Sequence, residues 1–306
     1  MSTGTQTPPA TVFRTDGSVS LLSWPALEAS GAAAAVTARS GGVSSGPYAT
    51  LNLSLSVGDD PARVLENRRR LAATVGARPQ DFVWARQVHG AGVRVVDGTD
   101  AGSGAFGLDD AVADADALVT RTPGVVLAIL TADCVPVVLH DPVAGVLACV
   151  HAGWRGTVAG VTAAALAAMK TLGADPQNVL AGIGPAIAPS RYQVGPDVHQ
   201  AVTRSFGPAA DALIRPDTGP GGTGTGHWLL DLWAANRHTL RQAGVPDRQI
   251  HTTPHPTGPN ATTHPAGPTS FFSDRAERPC GRLALVARLG HPTPDSMSVT
   301  GNGSIR

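Results

Sequence analysis

The chain has 306 residues, 42% of them hydrophobic and 15% charged, which is enough apolar length to bury a sizeable core and excludes a wholly disordered polymer. Its 23 Lys+Arg balance 23 Asp+Glu, so no excess basic charge draws it to a nucleic-acid backbone or an anionic membrane. The longest apolar runs, such as 125–130, fall far short of a bilayer span. Three cysteines are too few for a disulfide framework, and together these features lead us to expect a soluble, cytoplasmic protein.

Residues 1–17 are rich in Thr, Pro and Gly and predict an unfolded tail, as do residues 291–306; a single domain is expected over 18–290. Asp60 followed by Pro61 predicts a helix start. The run to Gly76 sets Val64, Leu71 and Val75 on one stripe and Arg68, Arg69 and Arg70 on a solvated face. Short β-rich runs come next at 81–88, 92–96, 125–131, 135–140 and 145–150. A second helix is expected over 157–172, a strand over 178–183, and helices over 196–206 and 231–243, the last capped by Asp231. A final strand is expected over 282–289. The stretches 216–226 and 252–269 are too poor in apolar residues to pack and predict surface insertions. Strands and helices mix without strict βαβ alternation, which favours an α+β fold with a partly antiparallel sheet.

The most informative segment is 131–156, TADCVPVVLHDPVAGVLACVHAGWRG. Two strand-like runs flank Asp141–Ala144, which has the composition of a four-residue hairpin loop. Pairing His140 with Gly145 across that loop sets Cys134 opposite His151, with Cβ atoms roughly 4.5–5.5 Å apart. Such a pair suits a metal ion held between thiolate and imidazole, a Cys-His nucleophile, or a buried structural cysteine beside a satisfied histidine. Cys149 has apolar strand neighbours and reads as core, and Cys280 falls in a Pro/Gly/Arg turn with no evident role. After His151 the glycine-bearing AGWRG turn enters a helix, so backbone N–H groups and Arg155 can meet an anion there. The AGIGPAI turn, 181–187, can form a similar concavity.

The segments RSGGVSSGPYATLNLSLSVGDDPARVLENRRRLA (39–72), QVHG (87–90), DADALVT (114–120), LTADCVPVVLHDP (130–142), HAGWRGTVAG (151–160), GIGPAI (182–187) and FFSDR (271–275) occur in this order. In them the sequence resembles the YfiH/laccase-domain family over about residues 36–290. Family members have been named polyphenol oxidase, purine nucleoside phosphorylase and peptidoglycan editing factor. The resemblance implies a four-layer α/β/β/α sandwich with mixed, partly antiparallel sheets. It also implies a metal site of His89, Cys134 and His151, and three protein ligands with one open position match a catalytic zinc. The family commonly has a tyrosine after FFS, where Asp274 stands here, and often a Cys-Thr pair where this chain has its Thr/Pro/His-rich insertion.

Three reactions come with the resemblance. A multicopper oxidase needs about ten imidazoles, several in His-x-His pairs. This chain has ten histidines with no pair so spaced, which argues against a four-copper site, although copper can substitute for zinc in the trio. Purine nucleoside chemistry is the favoured expectation: phosphorolysis of adenosine, inosine, guanosine or methylthioadenosine, and deamination of adenosine. The usual nucleobase-deaminase signature is absent, so deamination needs another constellation. Arg155 and the helix start behind it would receive phosphate, Asp133 or Asp116 would position or protonate the purine, and Gln87, Asn52 and Arg39 would line the same cleft. Asp116 and Asn52 are equally suited to forming turns, and Arg39 and Arg155 to surface ion pairs. The alternatives are a cysteine- or zinc-dependent hydrolase editing cell-wall precursors, and a metal-binding protein without catalysis.

Overall fold

A computed structural model describes residues 11–16, 19–219, 226–253, 255–258 and 271–290. Two large sheets dominate. The first has seven strands in the order Val12–Asp16, Val19–Ser23, Ala32–Thr37, Leu283–Leu289, Val126–Thr131, Phe82–Arg86 and Val112–Ala113. The second has six, in the order Ile250–Thr252, Leu180–Ile183, Val135–Asp141, Val146–Ala152, Ala117–Thr120 and Val93–Val95. Both are mixed: the first is antiparallel from Val12–Asp16 to Val126–Thr131 and parallel beyond, and the second is antiparallel in its centre and parallel at both edges.

Side-chain alternation stacks these sheets into four layers. Along the hairpin, Val137, Leu139, Val146, Ala148 and Val150 face one side and pack against helices Val161–Thr171 and Leu232–Gln242. Val138, Leu147 and Cys149 point the other way and meet Leu22, Val36, Leu127, Ile129 and Leu285 from the first sheet. The outer face of that first sheet carries Ala128, Ala284 and Val286, covered by Leu71 and Ala72 of helix Pro61–Thr74. Near-continuous apolar strands such as Val146–Ala152 are what burial on both faces requires. The fold is therefore the expected mixed α+β sandwich. A smaller three-stranded sheet, Gln193–Val194, Trp228–Leu230 and Ile214–Pro216, lies beyond it. Among the described residues no helix is long and apolar enough to cross a membrane.

Local signals set several helices. Asp60 caps Pro61–Thr74 by accepting from the Ala62 N–H, and Asp231 caps Leu232–Gln242 through the Ala234 N–H. The structure corrects other expectations. Residues 12–16, expected in a tail, pair with Val19–Ser23. The helix expected over 157–172 is two pieces, Trp154–Val158 and Val161–Thr171, because Gly160 adopts φ +81° between them. Arg68 is not on a solvated face: it is buried, donates to the carbonyls of Leu53, Gly104 and Ala105, and lies 4.0 Å from the Trp84 ring centroid. Part of the stretch expected as the insertion 252–269 is packed instead, since Thr253 and Thr257 are buried and Pro256 bridges to Ala186. The expectations for 1–10, 220–225, 259–270 and 291–306 lie outside the described residues.

The hairpin register also differs. Asp141 remains in its strand, pairs with Val146, and accepts from the N–H groups of Val143 and Ala144, so the loop is Pro142–Gly145. His151 consequently faces Pro136, and the register is displaced by two residues from the pairing read off loop composition.

Candidate metal centre and its cleft

Two chain segments cross from one sheet to the other at the same end of the sandwich. One links Phe82–Arg86 to Val93–Val95 and carries His89; the other links Val126–Thr131 to Val135–Asp141 and carries Cys134. Both corners are sharp. His89 has φ +59° and Asp133 φ +92°, in the left-handed region that non-glycine residues occupy at a cost and that functional sites accumulate. His151 enters from the end of the hairpin's second strand, on the face that looks toward the other sheet.

These corners bring His89, Cys134 and His151 together: one ligand atom from each lies within 4.8 Å of the others. The two imidazoles meet edge to face, ring centroids 4.8 Å apart. Tetrahedral zinc bonds to sulfur and nitrogen imply ligand atoms roughly 3.3–3.6 Å apart, so the widest pair would draw in by a little over ~1 Å on binding. Gly153 makes room for it, since a Cβ there would sit 2.9 Å from the Cys134 sulfur and 3.2 Å from the His89 ring. A soft thiolate with two imidazoles is a donor set suited to zinc or copper. Among the described residues it is the single group of three or more His, Cys, Asp or Glu able to hold a metal ion.

Asp116 organises the trio from below. It is fully buried, and its Oδ1 accepts from His151 Nδ1 at 2.8 Å and from the His89 N–H at 3.0 Å. Its Oδ2 accepts from the N–H groups of Gly90 at 2.7 Å and Val88 at 3.3 Å. Burial opposes ionisation of Asp116, but the His151 and Gly90 hydrogen bonds outweigh it and hold the carboxyl below its ordinary range. The carboxylate in turn fixes the His151 tautomer with Nε2 free to ligate. Burial likewise opposes both the Cys134 thiolate and the protonated His151, yet the two facing imidazoles lower the thiol, while Cys134 and Asp116 raise His151.

The centre opens into a cleft of about 880 Å³, lined by His89, Cys134, His151, Asp133, Gln87 and Arg155 among others. Arg155 is exposed, its guanidinium 4.4 Å from the Trp154 ring centroid, and it joins no ion pair among the described residues. Gln87 lines the cleft but brackets the backbone of Leu130, donating to its carbonyl and accepting from its N–H. Asp133 accepts from the Thr257 hydroxyl and from the Arg275 N–H.

Three residues expected on the substrate wall are elsewhere. Asp116 lies beneath the His89, Cys134 and His151 trio. Asn52 is fully buried and knits its own loop, accepting from the N–H groups of Ser54 and Arg282 and donating to Asp59. Arg39 pairs with Glu277 at 2.8 Å and packs on Phe272. The cleft instead includes residues that sequence reasoning missed: Tyr192, Arg86, Arg275, Arg278 and Arg282. Asp274 holds two of these, Arg278 and Arg282, in ion pairs. No local signal marked them. Cys280, read as incidental, also borders the cleft, and its thiol accepts from Arg282.

Comparison with known proteins places this geometry in context. A family model described as multi-copper polyphenol oxidoreductase laccase matches residues 33–290. A purine nucleoside phosphorylase of Streptomyces coelicolor is 44% identical over 248 residues, covering 81% of this chain and 91% of that protein. An adenosine deaminase from an unknown prokaryotic organism is 39% identical, covering 74% of this chain and 82% of its own length. The crystal structure of YlmD from Geobacillus stearothermophilus superposes with a TM-score of 0.83 at 35% identity, covering 93% of this chain and all of that one.

Proposed function

The chain is an enzyme of the YfiH/laccase-domain family, and from that premise we propose that it is a zinc-dependent purine nucleoside phosphorylase acting on adenosine, inosine, guanosine and methylthioadenosine. The observation that carries this reading is the three-donor centre at the floor of a cleft edged by five arginines and only two carboxylates, Asp133 and Asp274. Such a balance suits an anionic co-substrate beside a neutral nucleoside.

His89, Cys134 and His151 would hold the ion. When bound, zinc supplies Lewis-acid polarisation of an oxygen in the cleft and lowers the pKa of a ligated water. Asp116 keeps both histidine corners in place and the His151 lone pair directed at the site. Arg155, free of a carboxylate partner among the described residues and exposed beside the ligands, would bind phosphate. Trp154 offers flat apolar surface for a purine ring. Asp133 is less suited to protonating the base than the sequence suggested, because its carboxylate already accepts from Thr257 and Arg275.

Adenosine deamination by the same centre is the second reading, favoured by the deaminase relative. Incubation with adenosine and inosine, with and without phosphate, and then mass spectrometry of the products separates the two. Free base with ribose 1-phosphate supports phosphorolysis, and phosphate-independent conversion of adenosine to inosine supports deamination. No turnover of either, with release of an amino acid from a cell-wall precursor, returns the case to editing. His89→Ala, Cys134→Ala and His151→Ala should each lose bound zinc and activity while remaining folded.

A further inference from the structure

Phosphorolysis places its demand on the departing base. As a phosphate oxygen bonds to C1′ and the C1′–N9 bond breaks, the electron pair passes into the purine, whose imidazole half becomes electron-rich. A neutral donor aimed at N7 stabilises that charge more in the transition state than in the bound nucleoside. The cationic groups of the cleft are better matched to phosphate.

The neutral donors can be sorted by whether their hydrogens are already committed. The Gln87 amide is held by Leu130. The hydroxyls of Ser54 and Ser56 bond each other, which commits one of their two hydrogens and leaves the other on a weaker acid than a phenol. The Thr131 hydroxyl has no partner but is sealed from solvent. Tyr192 differs from all of these. It borders the cleft, is half-buried, and its hydroxyl is neither sealed nor hydrogen-bonded to any described residue. Its position is built: the Tyr192 carbonyl accepts from the Leu230 N–H, and the Arg275 guanidinium lies 5.2 Å from the ring centroid. Arg275 is itself fixed by its N–H to Asp133 and by donation to the Gln193 carbonyl. Burial favours the neutral phenol, which therefore keeps its proton near neutral pH. The Trp154 indole N–H is the rival donor, but it is a much weaker acid than a phenol and responds less to developing charge.

Resting on the phosphorylase reading, we propose that Tyr192 is a catalytic residue whose hydroxyl donates a hydrogen bond to N7 of the departing purine. The phenol retains its proton throughout. The base leaves as an anion, and the proton released from the phosphate reaches it through solvent, so the step balances without a further reactant.

The test uses leaving groups of different need. Inosine departs as an anion, whereas 7-methylguanosine already carries a positive imidazole ring and has no free N7. In Tyr192→Phe, which preserves the ring beneath Arg275, kcat/KM for inosine should fall about 100-fold, with 7-methylguanosine within about threefold of wild type. Zinc content should be unchanged. Equal losses on both substrates, or none on either, would overturn the assignment, as would the substrate-dependent loss appearing in Trp154→Phe instead. Absence of phosphorolysis in the wild-type protein would overturn the underlying reading, an outcome the variants cannot mimic.

Discussion

Replacing Asp116 by asparagine keeps the shape of the side chain and removes its charge, and the bonding around it makes that exchange costly. Four donors converge on the carboxylate: His151 Nδ1 and the His89 N–H on one oxygen, the Gly90 and Val88 N–H groups on the other. An amide can satisfy only one side. With its oxygen toward His151, its NH2 confronts the Gly90 N–H, whose acceptor lay at 2.7 Å, and the corner bearing His89 is pushed out. With the amide flipped, its NH2 faces Nδ1 and favours the tautomer protonated at Nε2, where the metal needs a lone pair. Either arrangement disturbs one of the two histidines. Changes to partners of metal ligands weaken metal binding by about 10- to 100-fold, which corresponds to about 1.4–2.7 kcal/mol. Competition with a chromophoric zinc chelator near neutral pH measures the effect directly, with thermal unfolding of the zinc-saturated protein as the control. A zinc affinity within about threefold of wild type in a folded Asp116→Asn protein would refute the role assigned to this carboxylate.

Gly153→Ala should abolish zinc binding with little loss of fold, because Gly153 has ordinary backbone angles and only the new Cβ, 2.9 Å from the Cys134 sulfur, conflicts; metal analysis and thermal unfolding read the two effects. Arg68→Met should destabilise the protein by about 3 kcal/mol in urea unfolding, since it leaves the carbonyls of Leu53, Gly104 and Ala105 without their donor. His140 is buried, and burial pushes its pKa down to about 4. The unfolded chain takes up this proton first, so stability should fall by up to about 3 kcal/mol as the pH drops from about 6.5 to about 4, and His140→Gln should flatten that part of the profile.

Legibility in the sequence tracks the range of the interactions. Caps and stops act within a few residues, so Asp60, Gly76, Asp231 and Gly244 marked helix ends from local composition alone. Ala32–Thr37 escaped detection because its alanines carry no β signal; it is a strand only because Leu283–Leu289 and Val19–Ser23 pair on either side of it. Arg68 looked like its neighbours in a basic triplet, and only the carbonyls of two distant loops distinguish it. Apart from Arg155, the arginine wall was unreadable for the same reason: Arg275 closes the FFSDR segment but reaches the site only by bonding Asp133 across 142 positions. His89 came from the family resemblance, since nothing near it in sequence points to a thiol 45 positions on.

The hairpin separates what a loop-based register can carry from what it cannot. Keeping Asp141 in its strand changes each pairing sum by two, and a change of two preserves the side of the sheet that every residue faces. Cys134 and His151 therefore still look into the same layer, although Gly153, not His151, is the residue that meets the thiol most directly across the ladder. An odd displacement would have turned the imidazole into the helix-facing core among Val146, Ala148 and Val150. The even one does more than spare the site. It sets a glycine where any side chain would collide with sulfur and carries His151 back along the strand, so that the third donor, His89, enters from the neighbouring sheet crossing.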